Sequence, residues 1–272
     1  MKKVLVILFS LICLVTYSQR KNEYGLKMVK SVTVHEYMGG YAGMASHYEF
    51  EYDENNHSTS SKLYLKQKNS NDFELFETYI RKNGELIHKK MDWNTGKLVE
   101  TLDKDVQNKY ILNDKGHLIQ RIQIFPGEKE VWNYYYDKDA SIYDENLVAV
   151  EYIETDKNGN YFIGPLGNTV KPLVGKIEYG KPISEYDEYE SINDTNISLQ
   201  ELINSGNDDL LYISTWIPQY NPYLPIRWKD EPQRWKYDYY YNENSSLSKI
   251  MIYILKNDVY KLKRKIEIEY LY

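Results

Sequence analysis

The sequence predicts an all-β protein, an antiparallel meander of repeated hairpins in an open or curled sheet. Over residues 260–272, apolar and aromatic residues occupy most of every second position, with lysines and glutamates between them. A strand gathers such residues on one face, whereas a helix scatters them. The chain also has 29 tyrosines, which suit the half-buried surface of a sheet. Asn, Asp and Gly recur between the alternating segments, as is typical of hairpin turns.

A degenerate unit recurs along the chain: an aromatic-rich strand, an Asp or Asn, a polar turn often carrying Gly, and a second strand. Its copies lie at residues 52–56, 93–98, 110–118, 136–139, 156–161 and 239–247. In these segments the chain resembles the YD-repeat proteins, whose unit is an aromatic-x-Tyr-Asp-x-x-Gly-x-Leu hairpin, and residues 110–118 match it most fully. The resemblance implies an exported or surface β-rich scaffold and carries over no catalytic residue.

The N-terminus predicts export. Two lysines precede an apolar run, and Thr16 and Ser18 supply the small residues expected at a signal-peptidase site. We predict that residues 1–18 are a signal peptide cleaved between Ser18 and Gln19, and that residues 19–272 form a single β-rich domain. An uncleaved N-terminal anchor is the alternative. The run is shorter than the roughly 20 residues that span a bilayer, so no membrane-spanning segment is expected after cleavage.

Composition narrows the compartment and the partners. Cys13 is the only cysteine and lies in the predicted signal peptide, so the mature chain has no disulfide, which favours a bacterial periplasmic, outer-surface or secreted protein. Loss of Lys2 and Lys3 changes the formal net charge from −6 to −8, which disfavours nucleic acid as a partner. The five histidines form no zinc-type motif, and we predict no metal and no cofactor.

One segment, at about residues 190–235, departs from the strand pattern. A capping-box signature at residues 198–201 predicts one short helix near residues 199–205. Half of the eight prolines lie between Pro218 and Pro232, which argues against a central strand there. We interpret this segment as an irregular, aromatic- and proline-rich excursion from the sheet and not as a second domain.

The excursion supplies the predicted ligand-binding residues. Large aromatic rings on a rigid loop offer flat faces for a sugar or a peptide, and those in the excursion are Trp216, Tyr220, Tyr223, Trp228 and Trp235. The alternative is that these rings cap the open end of the sheet's core. The acidic residues at 185–190 are interpreted as a solvated loop, because spacing within one loop does not fix a catalytic separation, although paired carboxylates there would suit glycoside hydrolysis.

The sequence therefore leaves three functions open. The leading prediction is an exported, non-enzymatic β-scaffold that binds a glycan, a peptide or a protein of the cell envelope. The first alternative is a hydrolase of an envelope or extracellular polymer, although no catalytic motif stands out. The second is an outer-membrane β-barrel, because alternation continues up to the terminal aromatic residue, Tyr272.

Overall fold

The computed structural model describes residues 19–21, 25–100, 107–136, 147–162, 172–176, 186–191, 195–197, 223–228 and 234–272. These residues form sixteen strands and no helix, which confirms the predicted all-β class. The predicted helix near residues 199–205 and the predicted signal peptide lie outside the described residues. Within the described part of the chain, no helix is long and apolar enough to cross a membrane.

The strands follow the chain in a meander. They are β1 Val29–Glu36, β2 Ala45–Tyr52, β3 Ser58–Lys66, β4 Glu74–Lys82, β5 Glu85–Asp92, β6 Lys97–Val99, β7 Gln107–Leu112, β8 Leu118–Phe125, β9 Glu128–Tyr136, β10 Leu147–Asp156, β11 Leu173–Lys176, β12 Tyr186–Ser191, β13 Tyr223–Trp228, β14 Trp235–Tyr241, β15 Leu247–Lys256 and β16 Val259–Tyr270.

Fourteen strands form one large sheet, in the order β11-β10-β9-β8-β7-β5-β4-β3-β2-β1-β16-β15-β14, with β6 paired to β5 off this path. Most strands therefore lie beside their neighbours in sequence, and the predicted antiparallel meander is confirmed. The pairing of β1 with β16 joins the first strand to the last. The path ends at β11 and β14, so the sheet is not closed in the described part of the chain.

The apolar core lies along one face of the sheet, called the inner face here. Where the two ends of the chain meet, Val32 lies opposite Ile268 and Val34 opposite Ile266. All four side chains are at most 5% exposed, and Ile250 on the neighbouring strand β15 is fully buried. Full burial of each aliphatic side chain stabilises the fold by about 1.5–3 kcal/mol. The alternation read from residues 260–272 thus marks the inner face of β16.

Four hairpin turns share one geometry, built on an Asn or Asp side chain. In the first example, Asn113 Oδ1 accepts hydrogen bonds from the backbone N–H groups of Lys115 and His117 at 3.0 and 2.9 Å. Gly116, the fourth residue, has a φ of 83°. The same bonds recur in the turns that begin at Asp53, Asp156 and Asn242. This shared turn accounts for most of the recurring unit in the sequence.

Replacement of Gly116 by Ala is expected to lower the free energy of unfolding by about 1–3 kcal/mol. The φ of 83° is strained for a residue with a Cβ, and that Cβ would lie 2.8 Å from Arg81 Nη1. Gly84→Ala is the control, because its φ is 78° but nothing lies within 4 Å of the added atom. Urea denaturation measures both variants; equal losses would contradict a role for the contact with Arg81.

The predicted excursion contains regular structure. Strand β13 lies within it and pairs with β12, with Pro225 opposite Tyr189. The acidic residues at 185–190 mostly belong to β12, so the prediction of a loop there is wrong. The acidic segment forms a strand because β13 supplies the partner to which its backbone pairs. Both strands of a two-stranded sheet are edge strands, which is where a proline is tolerated.

Candidate functional site

Four side chains form a line across four neighbouring strands of the inner face, called the aromatic row here. Tyr110 on β7 pairs with Arg121 on β8, Arg121 pairs with Trp132 on β9, and Trp132 pairs with Tyr152 on β10. Directly paired residues point to the same face, with Cβ atoms about 4.5–5.5 Å apart. The strand register therefore places three aromatic rings and one guanidinium group side by side.

A second line of side chains, called the amide–carboxylate row here, runs parallel to the first. Its members lie two residues from those of the aromatic row on each strand. Asn108 pairs with Gln123, Gln123 with Glu130, and Glu130 with Glu154. Gln123 Nε2 donates to Asn108 Oδ1 at 2.6 Å. Because side chains two positions apart share a face of a strand, both rows lie on the inner face and together form a two-row platform.

Arg121 is the cation of the aromatic row. Its Cζ lies 4.6 Å from the ring centroid of Trp132 and 6.0 Å from that of Tyr110. Such cation–π contacts contribute about 0.5–2 kcal/mol. Arg121 Nε is buried and has no hydrogen-bond partner among the described residues. A buried donor without an acceptor is unfavourable, so this nitrogen is buried at a cost in free energy.

Tyr152 connects the two rows. Its hydroxyl lies 3.0 Å from Glu130 Oε1 and 3.3 Å from Glu154 Oε2, and its single proton is shared between them. Its ring centroid lies 5.2 Å from that of Trp132. Burial, together with the two carboxylates, raises the pKa of Tyr152 well above its ordinary value. The hydroxyl therefore remains a donor throughout the neutral range.

The platform is flanked by buried and half-buried groups that hold its shape. Tyr134 lies two residues after Trp132 on the same face and packs against the core. Burial raises the pKa of Tyr134 to about 12, although the positive charge of Arg121 acts in the opposite direction. Nearby, Tyr136 donates its hydroxyl proton to the Leu118 carbonyl at 2.6 Å. These contacts fix the strands that carry the rows.

The platform ends at a cleft between β5 and β7. These strands pair at Glu85–Ile111 and Leu86–Tyr110, whereas β6 pairs with the last three residues of β5. A cleft of about 350 Å³ lies at this seam, and the first member of each row, Tyr110 and Asn108, lines it together with His88. The platform is thus continuous with a concave space.

Two basic side chains surround the buried carboxylate of Glu77 beside the cleft. Glu77 is 3% exposed, and its Oε1 lies 2.8 Å from Lys90 Nζ. His88 Nε2 lies 3.6 Å from Glu77 Oε2, and the His88 ring stacks on Tyr79 with centroids 4.2 Å apart. Pairing with two cationic or ionisable partners offsets the cost of burying the Glu77 carboxylate.

The structure describes three of the five residues predicted as the binding site and does not test their role. Trp216 and Tyr220 lie outside the described residues. Tyr223 and Trp228 are the first and last residues of β13, which pairs with β12 outside the strand order of the large sheet and also contacts β14. Trp235 begins β14, where it packs against the core with Lys263 Nζ 4.6 Å over its ring. A binding role for these five residues stays a prediction.

Sequence reasoning did not identify the platform. Tyr110, Arg121 and Trp132 are equally spaced along the chain, which is the signal that was available. Equal spacing predicts a shared row only when the lengths of the intervening turns and the positions of bulges are known. One bulge between Ile111 and Leu112 is sufficient to change a register derived from sequence spacing alone.

Comparison with known proteins relates the fold to proteins of Bacteroides. No family model and no curated protein matches the chain. A porin-like protein from Bacteroides uniformis is similar at 11% identity and a TM-score of 0.49, over 89% of this chain and 97% of that chain. A porin-like protein from Bacteroides vulgatus is similar at 15% identity and a TM-score of 0.28, over 89% and 98%.

The assignment to the YD-repeat proteins is wrong. Two structures to which the chain is similar are porin-like proteins, and no family model matches the sequence. The error has a physical cause, since an Asn or Asp that accepts two backbone N–H groups, followed by a residue at positive φ, forms hairpin turns in unrelated β-proteins. The chain is a β-sheet protein that resembles porin-like proteins of Bacteroides.

Proposed function

We propose that the protein is an exported, non-enzymatic β-scaffold that binds a glycan of the cell envelope across its two-row platform. The observation that carries this proposal is the parallel course of the aromatic row and the amide–carboxylate row over β7 to β10. The proposal also relies on the predicted signal peptide for export.

The chemistry of the two rows is complementary to a sugar. A sugar ring has an apolar C–H face and a rim of hydroxyl groups. Aromatic faces such as that of Trp132 pack against the apolar C–H face of the sugar. Carboxylates such as that of Glu154 accept hydrogen bonds from the sugar hydroxyl groups, and amides such as that of Gln123 both accept and donate them. Binding sites commonly combine an apolar surface with a few fixed polar groups in this way.

The charge of the platform disfavours anionic ligands. Glu130 and Glu154 contribute two carboxylates, whereas Arg121 is the one cation of the two rows. Like charges repel a phosphate backbone, while neutral hydroxyl groups find acceptors in both carboxylates. We therefore favour a neutral polysaccharide as the ligand.

Replacement of Trp132 by Ala is expected to weaken glycan binding about tenfold or more, because a central aromatic anchor typically contributes at least 1.4 kcal/mol. Titration of the protein with a panel of envelope polysaccharides, followed by calorimetry, measures the change. Trp93→Ala is the matched control, because Trp93 is 60% exposed and packs near Phe76, outside both rows. It should retain wild-type affinity.

A third variant separates the platform from the site predicted by sequence. Trp228→Ala removes a ring of β13 and leaves both rows intact. Loss of binding in Trp228→Ala with retention in Trp132→Ala would contradict the platform and favour the predicted excursion site.

Hydrolysis is the second candidate function, and one contact favours it. Glu130 and Glu154 both reach the hydroxyl of Tyr152, so their carboxyl groups are close together, as the paired carboxylates of retaining glycosidases are. Release of reducing ends from the bound polysaccharide tests this function. Turnover that disappears in Glu130→Gln and Glu154→Gln would replace the non-enzymatic proposal; an absence of turnover with intact binding supports the scaffold.

A further inference from the structure

The side chain of Gln19 is held against the turn between β14 and β15. Ser246 Oγ donates a hydrogen bond to Gln19 Oε1 at 2.7 Å, and Ser246 is fully buried. Gln19 Nε2 is also buried, but it has no hydrogen-bond partner among the described residues. The amide oxygen is therefore satisfied, whereas the amide nitrogen is buried at a cost.

The backbone that follows Gln19 is bound to the end of the sheet. The Arg20 N–H donates to the Leu271 carbonyl at 2.9 Å, and the Met28 N–H donates to the Arg20 carbonyl at 2.9 Å. The Leu271 N–H returns a bond to the Met28 carbonyl at 2.9 Å. These bonds keep residue 19 beside Ser246.

We propose that Gln19 is a modification site, at which the mature N-terminus cyclises to pyroglutamate. The proposal rests on the predicted cleavage between Ser18 and Gln19, which frees the α-amino group, and it shares with the glycan proposal only this reliance on the signal peptide. The α-amino nitrogen attacks Cδ of its own side chain, and a new N–Cδ bond forms. The Cδ–Nε2 bond breaks, one proton passes from the α-nitrogen to Nε2, and ammonia leaves. No oxidant, reductant or second substrate is needed.

The geometry suits the cyclised form. Oε1 becomes the carbonyl oxygen of the lactam, so it can keep the bond from Ser246, while the buried nitrogen without a partner among the described residues is the atom that leaves.

The full chain, expressed in a bacterium that exports it, provides the test. Intact mass spectrometry of the purified protein is expected to show a chain that begins at residue 19 and is lighter by one ammonia. Its N-terminal sequencing should be blocked until pyroglutamyl aminopeptidase removes the first residue. A free Gln19, or a mature chain that begins at another residue, would overturn the proposal.

Two variants test the chemistry and the role of the turn. Gln19→Asn lacks one methylene and cannot close the five-membered lactam, so its N-terminus should remain free. In chains freshly cleaved in vitro to expose Gln19, Ser246→Ala is expected to release ammonia roughly fivefold more slowly, the effect of one lost hydrogen bond. Equal rates in the folded wild-type protein and Ser246→Ala would show that the hydrogen bond from Ser246 to Gln19 Oε1 does not assist cyclisation, which would overturn the role of the turn.

Discussion

Replacement of Glu36 by Ala is expected to lower the free energy of unfolding by about 3–5 kcal/mol, the usual result of removing one partner of a buried ion pair. Glu36 at the end of β1 lies opposite Arg264 on β16. Both Nε and Nη2 of Arg264 contact Glu36 Oε1, and Arg264 is only 5% exposed. The Glu36 carboxylate offsets the cost of burying the guanidinium beside Ile252, the partner of Arg264 on β15.

Two further variants define the cause of this loss. The double variant Glu36→Leu with Arg264→Met removes both charges and should recover most of the stability, because similar apolar replacements of buried pairs are often neutral or stabilising. Lys30→Ala breaks an exposed pair with Glu269 and should change the free energy of unfolding by about 0.5 kcal/mol or less. Urea denaturation of Glu36→Ala, the double variant and Lys30→Ala measures these changes, with the same dependence of the free energy of unfolding on urea concentration used for each protein. Equal losses in Glu36→Ala and Lys30→Ala would contradict the assignment of a buried pair.

Acidification is expected to destabilise the protein through His117, by up to about 3 kcal/mol between pH 6.5 and pH 4. Burial lowers the pKa of His117 from 6.5 to about 4, and the positive charges of His57 and Lys115 act in the same direction. The unfolded chain therefore takes up a proton near pH 6.5, whereas the folded chain takes it up only near pH 4. Between these values the unfolded state binds more protons, so the free energy of unfolding falls as the pH falls.

Urea denaturation at a series of pH values measures this loss, with His117→Gln as the comparison. The variant has no titrating ring at this position, so its free energy of unfolding should change less between pH 6.5 and pH 4. Asp53, whose pKa is also lowered, despite burial, by backbone hydrogen bonds from His57 and Asn55 and by nearby cations, contributes at more acidic pH, below its ordinary value of 3.8. Identical pH dependence in the wild-type protein and His117→Gln would contradict the role of His117.

The elements that could be predicted from sequence are those determined by neighbours in the chain. Residues 260–272 alternate in character, and β16 buries Ile266, Ile268 and Tyr270, as the period of two requires. The positions of the turns could also be predicted from sequence, because an Asn or Asp side chain bonds to backbone groups two and four residues later. These interactions depend on local geometry, so the residues involved are visible together in the sequence.

Contacts between segments that are distant in the chain could not be predicted from the sequence. The opposition of Glu36 and Arg264 depends on the pairing of the first strand with the last, and a one-residue slip of either strand would place the two side chains on opposite faces. The loop expected at residues 185–190 became strand β12 because a distant segment, β13, supplies its hydrogen-bonding partner. Propensity in a short acidic segment is too weak to indicate such a partner.

By itself, the sequence determined that this chain forms strands, where many of them turn, and which of their faces are apolar, because backbone sterics and side-chain alternation act over a few residues. The tertiary structure alone decided which strands are neighbours and in what register. That register places Tyr110, Arg121, Trp132 and Tyr152 in one row, since four side chains from separate strands become adjacent only after hydrogen bonds align the strands that carry them.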